Sequence, residues 1–344
     1  MLSIPEISVK WRFTLANELL KVEDLKVDYH TYAGIVQAVR GVSFSLEKGK
    51  TLAIVGESGC GKSVTARSIL KLIHEPGQID KSSKILFEGK YVNSFSAKEL
   101  QSYRGGVVSI IFQDAMASLN PTMTVGKQIV ENILHHNKMK KADAKKRAVE
   151  LLSLVGITDP ERRYKQYPHE LSGGMRQRVM IAIAFANNPK LLIADEPTTA
   201  LDVTIQSQIM ELLRSLKNEY GSSIILITHD LGVVAGIADE VAVMYAGVIV
   251  EHGSAKEIFY NPKHPYTKAL HEAVPRVDNK RSDTLVSIAG SPPDLINPNP
   301  GCPFSSRCKH CMNICTKEMP PSYSFDKGHE ASCWLHALDE SEFK

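Results

Sequence analysis

The chain has 344 residues, of which 43% are hydrophobic and 23% charged, with a formal net charge of +3. That length allows a large core and more than one domain, and the composition is ordinary for a soluble globular protein. So small a charge gives no argument for a nucleic-acid or anionic-membrane partner, and no apolar run approaches the ~20 residues a membrane-spanning helix needs.

Residues Met1 to Leu19 carry no clear pattern and read as an N-terminal extension. Glu6, Lys10, Arg12 and Glu18 break up any secretory apolar stretch, so a cytoplasmic chain is expected. Strands are predicted over Leu20–Tyr29 and Val36–Leu46, where Val42, Phe44 and Leu46 alternate against Ser43 and Ser45. Thr51–Val55 reads as a short buried strand, and Ala66, Ile69, Leu70 and Ile73 recur at helical spacing after Lys62. Between them lies Gly56-Glu57-Ser58-Gly59-Cys60-Gly61-Lys62-Ser63, which fits G-x-x-x-x-G-K-[ST]. Glycines let successive N–H groups converge on a phosphate, and the helix start adds the positive end of its dipole. Lys62 then reaches the β- and γ-phosphates, and the Ser63 hydroxyl ligates Mg²⁺.

A hairpin is expected near Lys84–Val92, completing an antiparallel, half-exposed sheet. From about Ala115 to Asn188 the pattern is helical, and the basic run Lys138–Arg147 reads as a solvated helix face. Leu171-Ser172-Gly173-Gly174-Met175 is a second glycine turn ahead of a helix. It has the N–H groups of an anion site without a lysine of its own, so it could complete a site but not build one. Leu191–Ala194, Ile224–Thr228 and Val241–Tyr245 resume the buried-strand pattern, which implies a largely parallel sheet covered on both faces. Asp195 and Glu196 follow the first of these, at the strand end that opens on the ligand crevice. Asp195 suits Mg²⁺, and Glu196 suits proton abstraction from an attacking water. Ala246-Gly247 reads as a hairpin turn, and a domain boundary is placed near Ser254, where prolines become frequent.

Of six cysteines, Cys60 lies in the phosphate loop while Cys302, Cys308, Cys311, Cys315 and Cys333 crowd the C-terminal end. In a cytoplasmic protein such clustering favours metal over disulfides. Cys308 and Cys311 form one C-x2-C, but neither the second pair of a zinc ribbon nor a ferredoxin run is present. An iron–sulfur cluster, zinc and unligated thiols all remain open on spacing alone.

The phosphate loop, Leu171–Met175, Leu191–Glu196, Ala200-Leu201-Asp202, Gln113 after Ile110-Ile111-Phe112, and His229 after Ile224–Thr228 resemble, in order and spacing, the ATPase subunits of ABC transporters. The resemblance covers roughly Leu20 to Gly253. It implies that Gly56, Ser58, Gly59, Cys60, Gly61, Lys62, Ser63 and Val64 surround the phosphates. It also implies that Ser63, Gln113 and Asp195 serve Mg²⁺, with Glu196, His229 and Gln113 as the catalytic set. Tyr29 resembles the aromatic that stacks on adenine, with Tyr32 as its rival. Ser172, Gly173, Gly174 and Asp202 resemble the groups that reach across to a second, head-to-tail ATPase subunit, so that ATP joins the two. Val64 departs from the family's usual hydroxyl residue, and Met175 from its usual glutamine.

Gln113–Pro121, Leu171–Arg178, His264–Leu270 and Gly290–Leu295 narrow the resemblance to bacterial dipeptide and oligopeptide importers. Gly301–Cys308 matches their tail, which implies a [4Fe–4S] cluster on Cys302, Cys308, Cys315 and Cys333, with zinc as the alternative and Cys311 as a spare thiol. The expected fold is therefore α/β. Its P-loop ABC-type nucleotide-binding domain spans 20–253, with a parallel core, an antiparallel β-subdomain and a helical subdomain at about 115–188; a small Cys/Pro-rich C-terminal domain follows at 254–344. The expected function is ATP hydrolysis energising peptide import, at the cytoplasmic face of the membrane. The expected partners are two integral membrane permease subunits, a second ATPase subunit and, indirectly, an extracytoplasmic peptide-binding protein, with no nucleic acid. Nickel or sugar import, a soluble ATPase acting on nucleic acid, and an iron–sulfur sensor are the alternatives.

Overall fold

The computed structural model describes residues 17–199, 201–273 and 288–339. Most of the expected N-terminal extension, and Ala200, lie outside the described residues. Strands Glu18–Thr31 and Gly34–Glu47 pair antiparallel through a two-residue turn at Tyr32-Ala33. Gly77–Ile79 and the hairpin Lys84–Phe87/Lys90–Tyr91 complete this five-stranded sheet.

The second sheet has eight strands, with Thr51–Val55 inside it. On one side of that strand lie Ser223–Thr228, Leu191–Asp195 and Val108–Ile111, all parallel. On the other lies Glu240–Tyr245, also parallel, followed by the antiparallel Val248–Ser254. The edge strand Val108–Ile111 escapes the sequence reading, because four residues leading straight into Phe112 and Gln113 carry too little periodicity to separate strand from helix.

Why the central strands read as unbroken apolar runs is visible in their packing. Leu192, Ala194, Ile224 and Leu226 face one core, shared with helices Val125–His136, Lys141–Leu154 and Gly173–Phe185. Their neighbours Leu191, Ile193, Ile225 and Ile227 face another, together with Leu52, Ile54 and the antiparallel sheet. A strand with both faces covered has no polar side to alternate with. On the helical side Ala144, Ala148, Leu151 and Leu152 are buried while Lys138, Lys140, Lys141, Lys145 and Lys146 are exposed, the solvated basic face expected.

Ala53 and Val55, next to the phosphate loop, face a third core built with Tyr266, Cys302, Phe304 and Cys315. The C-terminal region thus packs directly beneath the phosphate-binding strand. Its short strands Tyr323–Ser324 and Glu330–Ala331 also extend the eight-stranded sheet beside Val248–Ser254. Glu251 fastens the two together: fully buried, its carboxylate accepts from His329 Nε2 (2.7 Å), Lys263 N (2.6 Å) and His264 N (2.9 Å). Burial pushes this carboxyl up, but those donors outweigh it and hold it below the ordinary range.

Candidate nucleotide site

Thr51–Val55 delivers the chain into the loop, and helix Lys62–Ile69 leaves it. Gly61 sits at φ +102°, where a Cβ would also run into the Ala38 carbonyl and the Met244 methyl; at Gly56 a Cβ would strike the Met244 carbonyl. These two glycines are therefore steric requirements of the loop. Lys62 is 4% exposed, and its Nζ donates to the carbonyls of Gly56 (2.8 Å) and Glu57 (2.9 Å). Its third contact is only a long one, to Cys60 Sγ at 3.9 Å, a weak acceptor that a phosphate oxygen can displace, and Glu196 Oε1 lies 4.0 Å away. Cys60 is buried, and burial pushes its thiol up against the opposing pull of Lys62.

The carboxylates arrive from the end of Leu191–Asp195. Asp195 is 1% exposed; its Oδ1 accepts from Ser63 Oγ at 2.7 Å, and its Oδ2 is buried with no partner. Burial raises this carboxyl above the usual range against the opposing pull of Ser63 and Arg67. Glu196 follows in the left-handed region at φ +49°, which turns its side chain back over the strand ends. Its Oε2 accepts from Gln113 Nε2 (3.0 Å) and Thr199 Oγ1 (2.8 Å), and His229 Nδ1 lies 3.5 Å away. Lys62, Ser63, Gln113, Asp195, Glu196 and His229 thus meet in one place. Thr199 belongs there too, and sequence reading missed it because a threonine three residues after an acid carries no signal of its own.

Ser172 caps helix Gly173–Phe185, accepting from Met175 N at 3.4 Å. Its neighbours Gly173 and Gly174 lie against Leu201 and Ile205, beside Asp202, which caps helix Val203–Tyr220 through Ile205 N (2.9 Å). The glycine turn Leu171–Met175, the family's signature turn, and Asp202 therefore form a second group, built on two helix starts. Tyr29 is half-buried against the core and paired with Val36 and Gly77, whereas Tyr32 stands fully exposed at its hairpin tip. Beside Val64, the Thr65 hydroxyl is spent on the Gly61 carbonyl (3.0 Å), so it does not replace the hydroxyl absent from Val64.

Cys302, Cys308, Cys315 and Cys333 line one small pocket with His264, Phe304 and Trp334, while Cys311 is exposed and outside it. Burial holds the thiol of Cys302 up to about 12 and that of Cys333 up to about 11. Among the described residues, however, no group of three or more His, Cys, Asp or Glu side chains is arranged to hold a metal ion. The four cysteines share this pocket, but the structure does not support the expected cluster or zinc.

Two residues outside the expected site touch it. Tyr266 Oη accepts from the Glu57 amide (2.9 Å), and Arg307 grips the Glu57 carboxylate. Both lie in stretches recognised only by resemblance. The one acid in an anion-binding loop was the available hint that a cation must answer it.

Residues 39–199 match the ABC transporter family, and residues 250–315 match the oligopeptide/dipeptide transporter C-terminal region. The oligopeptide transport ATP-binding protein of Bacillus subtilis is 57% identical, the alignment covering 92% of this chain and 88% of that protein. The dipeptide transport ATP-binding protein of Lactococcus lactis is 55% identical over 92% and 91% of the two chains. Among solved structures, a dimeric, post-hydrolysis ATP-binding cassette bound to ADP and Pi matches with a TM-score of 0.62 at 27% identity, covering 69% of this chain and 99% of that one. Among the described residues no helix is long and apolar enough to cross a membrane. With a phosphate loop, paired carboxylates and a signature turn on an α/β core, and relatives aligned over nearly its whole length, the chain belongs to the ABC transporter family, as an ATP-binding subunit of the oligopeptide/dipeptide type.

Proposed function

We propose that this chain hydrolyses ATP to drive uptake of dipeptides or oligopeptides through two integral membrane permease subunits, working from the cytoplasmic face. The peptide, delivered by an extracytoplasmic binding protein, does not touch it. The observation that carries this reading is the meeting of Lys62, Ser63, Gln113, Asp195, Glu196 and His229 at the strand ends.

Each residue takes the role its surroundings support. Lys62 gives up its weak contact with Cys60 Sγ for the β- and γ-phosphates, beside the amides of Gly56–Val64. Glu196 takes the proton of the attacking water, held in place by Gln113 and Thr199, and His229 contacts the γ-phosphate. Tyr29 is the adenine platform, because a ring already fixed by two neighbouring strands loses little freedom on stacking. Mg²⁺ fits the hard oxygens of Ser63 and Asp195, whose buried Oδ2 is unpartnered, with Gln113 brought to the site through Glu196. When bound it offsets charge on the phosphate oxygens.

The group at Ser172, Gly173, Gly174 and Asp202 completes the site of a second ATPase subunit facing this one head to tail. Two such sandwiches close on ATP and part after hydrolysis. ATP-dependent co-purification of two membrane subunits with this chain tests the transporter reading; recovery of the chain with no membrane partner under any nucleotide condition would remove it.

We also assign a [4Fe–4S] cluster to Cys302, Cys308, Cys315 and Cys333. We base it on their shared pocket and on His264, which lines that pocket. His264 Nδ1 accepts from Tyr266 N (3.0 Å), so its proton sits on Nε2, which is buried without a partner and suits a sulfur acceptor. The cluster, when bound, supplies a structural cross-link among otherwise loosely connected turns. Anaerobically purified chain should carry iron and acid-labile sulfide and absorb broadly in the visible; stoichiometric zinc instead would reverse this assignment.

A further inference from the structure

Every polar group of Glu57 is engaged, and by elements from opposite ends of the chain. Its amide donates to Tyr266 Oη (2.9 Å), and its carbonyl accepts from Lys62 Nζ (2.9 Å). Its carboxylate accepts two bonds from Arg307, at 2.5 and 3.0 Å. The Arg307 side chain is 3% exposed and its donors are fully employed. Besides Glu57, they reach Tyr245 Oη (3.2 Å) and the carbonyls of Ala289 (2.9 Å) and Ile288 (3.1 Å). A bidentate guanidinium so fixed has one orientation available, and it imposes that orientation on the carboxylate it holds.

The consequence falls on Lys62. Its two short bonds go to the carbonyls of Gly56 and Glu57, with Cys60 Sγ a weak third partner at 3.9 Å, so where those carbonyls point fixes where the ammonium sits and which way it can turn to a phosphate. We propose that Arg307 and Tyr266, both from the C-terminal region, are positioning residues for ATP: by gripping Glu57 from two sides they preset the loop carbonyl that aims Lys62 at the phosphates. The C-terminal region thereby sets how tightly the loop holds nucleotide. Because Arg307 adjoins Cys308, and Tyr266 stands two residues from His264, both grips originate at the cysteine pocket. The proposal rests on the reading of Lys62 as the phosphate ligand.

The test uses the full chain with Tyr266→Phe, Arg307→Lys and Glu57→Gln, measuring MgATP affinity by displacement of a fluorescent analogue, together with KM, kcat and Tm. Tyr266→Phe removes one oxygen and keeps the ring packed on Tyr245 and Phe304, so its fold is preserved. Loss of one preorganising hydrogen bond should weaken MgATP binding about 3- to 10-fold, raising KM while kcat holds. Arg307→Lys should weaken it at least as much, and Glu57→Gln should add little on top of Arg307→Lys, because the two lie in one network. Variants that melt earlier yet bind MgATP as tightly as wild type would overturn the proposal, leaving the grip a tail anchor only. Failure of the wild-type chain itself to bind MgATP would instead strike the nucleotide reading, and this one with it.

Discussion

Replacing Glu196 with glutamine separates binding from chemistry, and the structure sets the size of both effects. Glu196 Oε2 accepts from Gln113 and Thr199, and a glutamine carbonyl can accept the same two bonds. What is lost on the binding side is the attraction to Lys62 across 4.0 Å, with the contact to His229 Nδ1 at 3.5 Å kept by the amide oxygen. The Lys62 pair is shielded, its side chains 4% and 11% exposed, but neutralising Glu196 also removes its repulsion of the phosphates; the two effects oppose, so MgATP affinity should change less than about tenfold. On the chemical side the proposed base is lost, worth about 10²–10⁴ in rate, or roughly 3–5 kcal/mol of barrier. Phosphate release and nucleotide binding measured on the same preparation give both numbers. A Glu196→Gln chain that turns over within tenfold of wild type would refute Glu196 as the base. A chain that no longer binds MgATP would show that the carboxylate shapes the loop instead.

Three further outcomes follow from the geometry. Ser172→Arg places a long cation at the start of helix Gly173–Phe185, in the group proposed to serve the facing chain; it should leave MgATP binding intact while hydrolysis falls by at least about 10², and equal loss of binding would contradict a composite site. Gly61→Ala forces a side chain into φ +102° against the Ala38 carbonyl, so it should cost about 1–3 kcal/mol in stability and lose nucleotide, whereas a normal Tm with normal affinity would contradict the loop geometry. The Glu251 carboxyl is held below its unfolded value, so its contribution to stability is complete above about pH 4.5 and is lost as pH falls through the depressed folded value. Tm should therefore drop on acidification below that point. Glu251→Gln should lower Tm at neutral pH and flatten the acid limb; an unchanged acid limb would remove Glu251 as its source.

The phosphate loop was legible because its chemistry is local: glycines, lysine and serine act within eight consecutive residues, on a strand and helix whose periods are plain. Asp195 and Glu196 were legible for the same reason, standing at the end of a run that can only be a buried strand. Gln113 and His229 were different. Nothing in their neighbourhoods distinguishes them from surface residues, and their positions came from resemblance; the structure then brings them against Glu196 across 83 and 33 residues of chain. Glu57 and Arg307 lie 250 residues apart, and no periodicity or spacing connects them. Pairings of that kind belong to tertiary packing, here the shared core under Ala53 and Val55. The same holds for the buried partners of Glu251, which look like ordinary surface histidines when read in sequence.

The central claim is that a triphosphate lies between the Lys62 loop of one ATPase chain and the Ser172 turn of the chain facing it. A structure of the Glu196→Gln variant with Mg²⁺ and ATP tests it most directly. The account predicts Lys62 Nζ on the β- and γ-phosphates, with the Ser172 hydroxyl and a signature glycine amide of the opposing chain on the γ-phosphate. A nucleotide contacted by one chain alone, with Ser172 left in solvent, would contradict it.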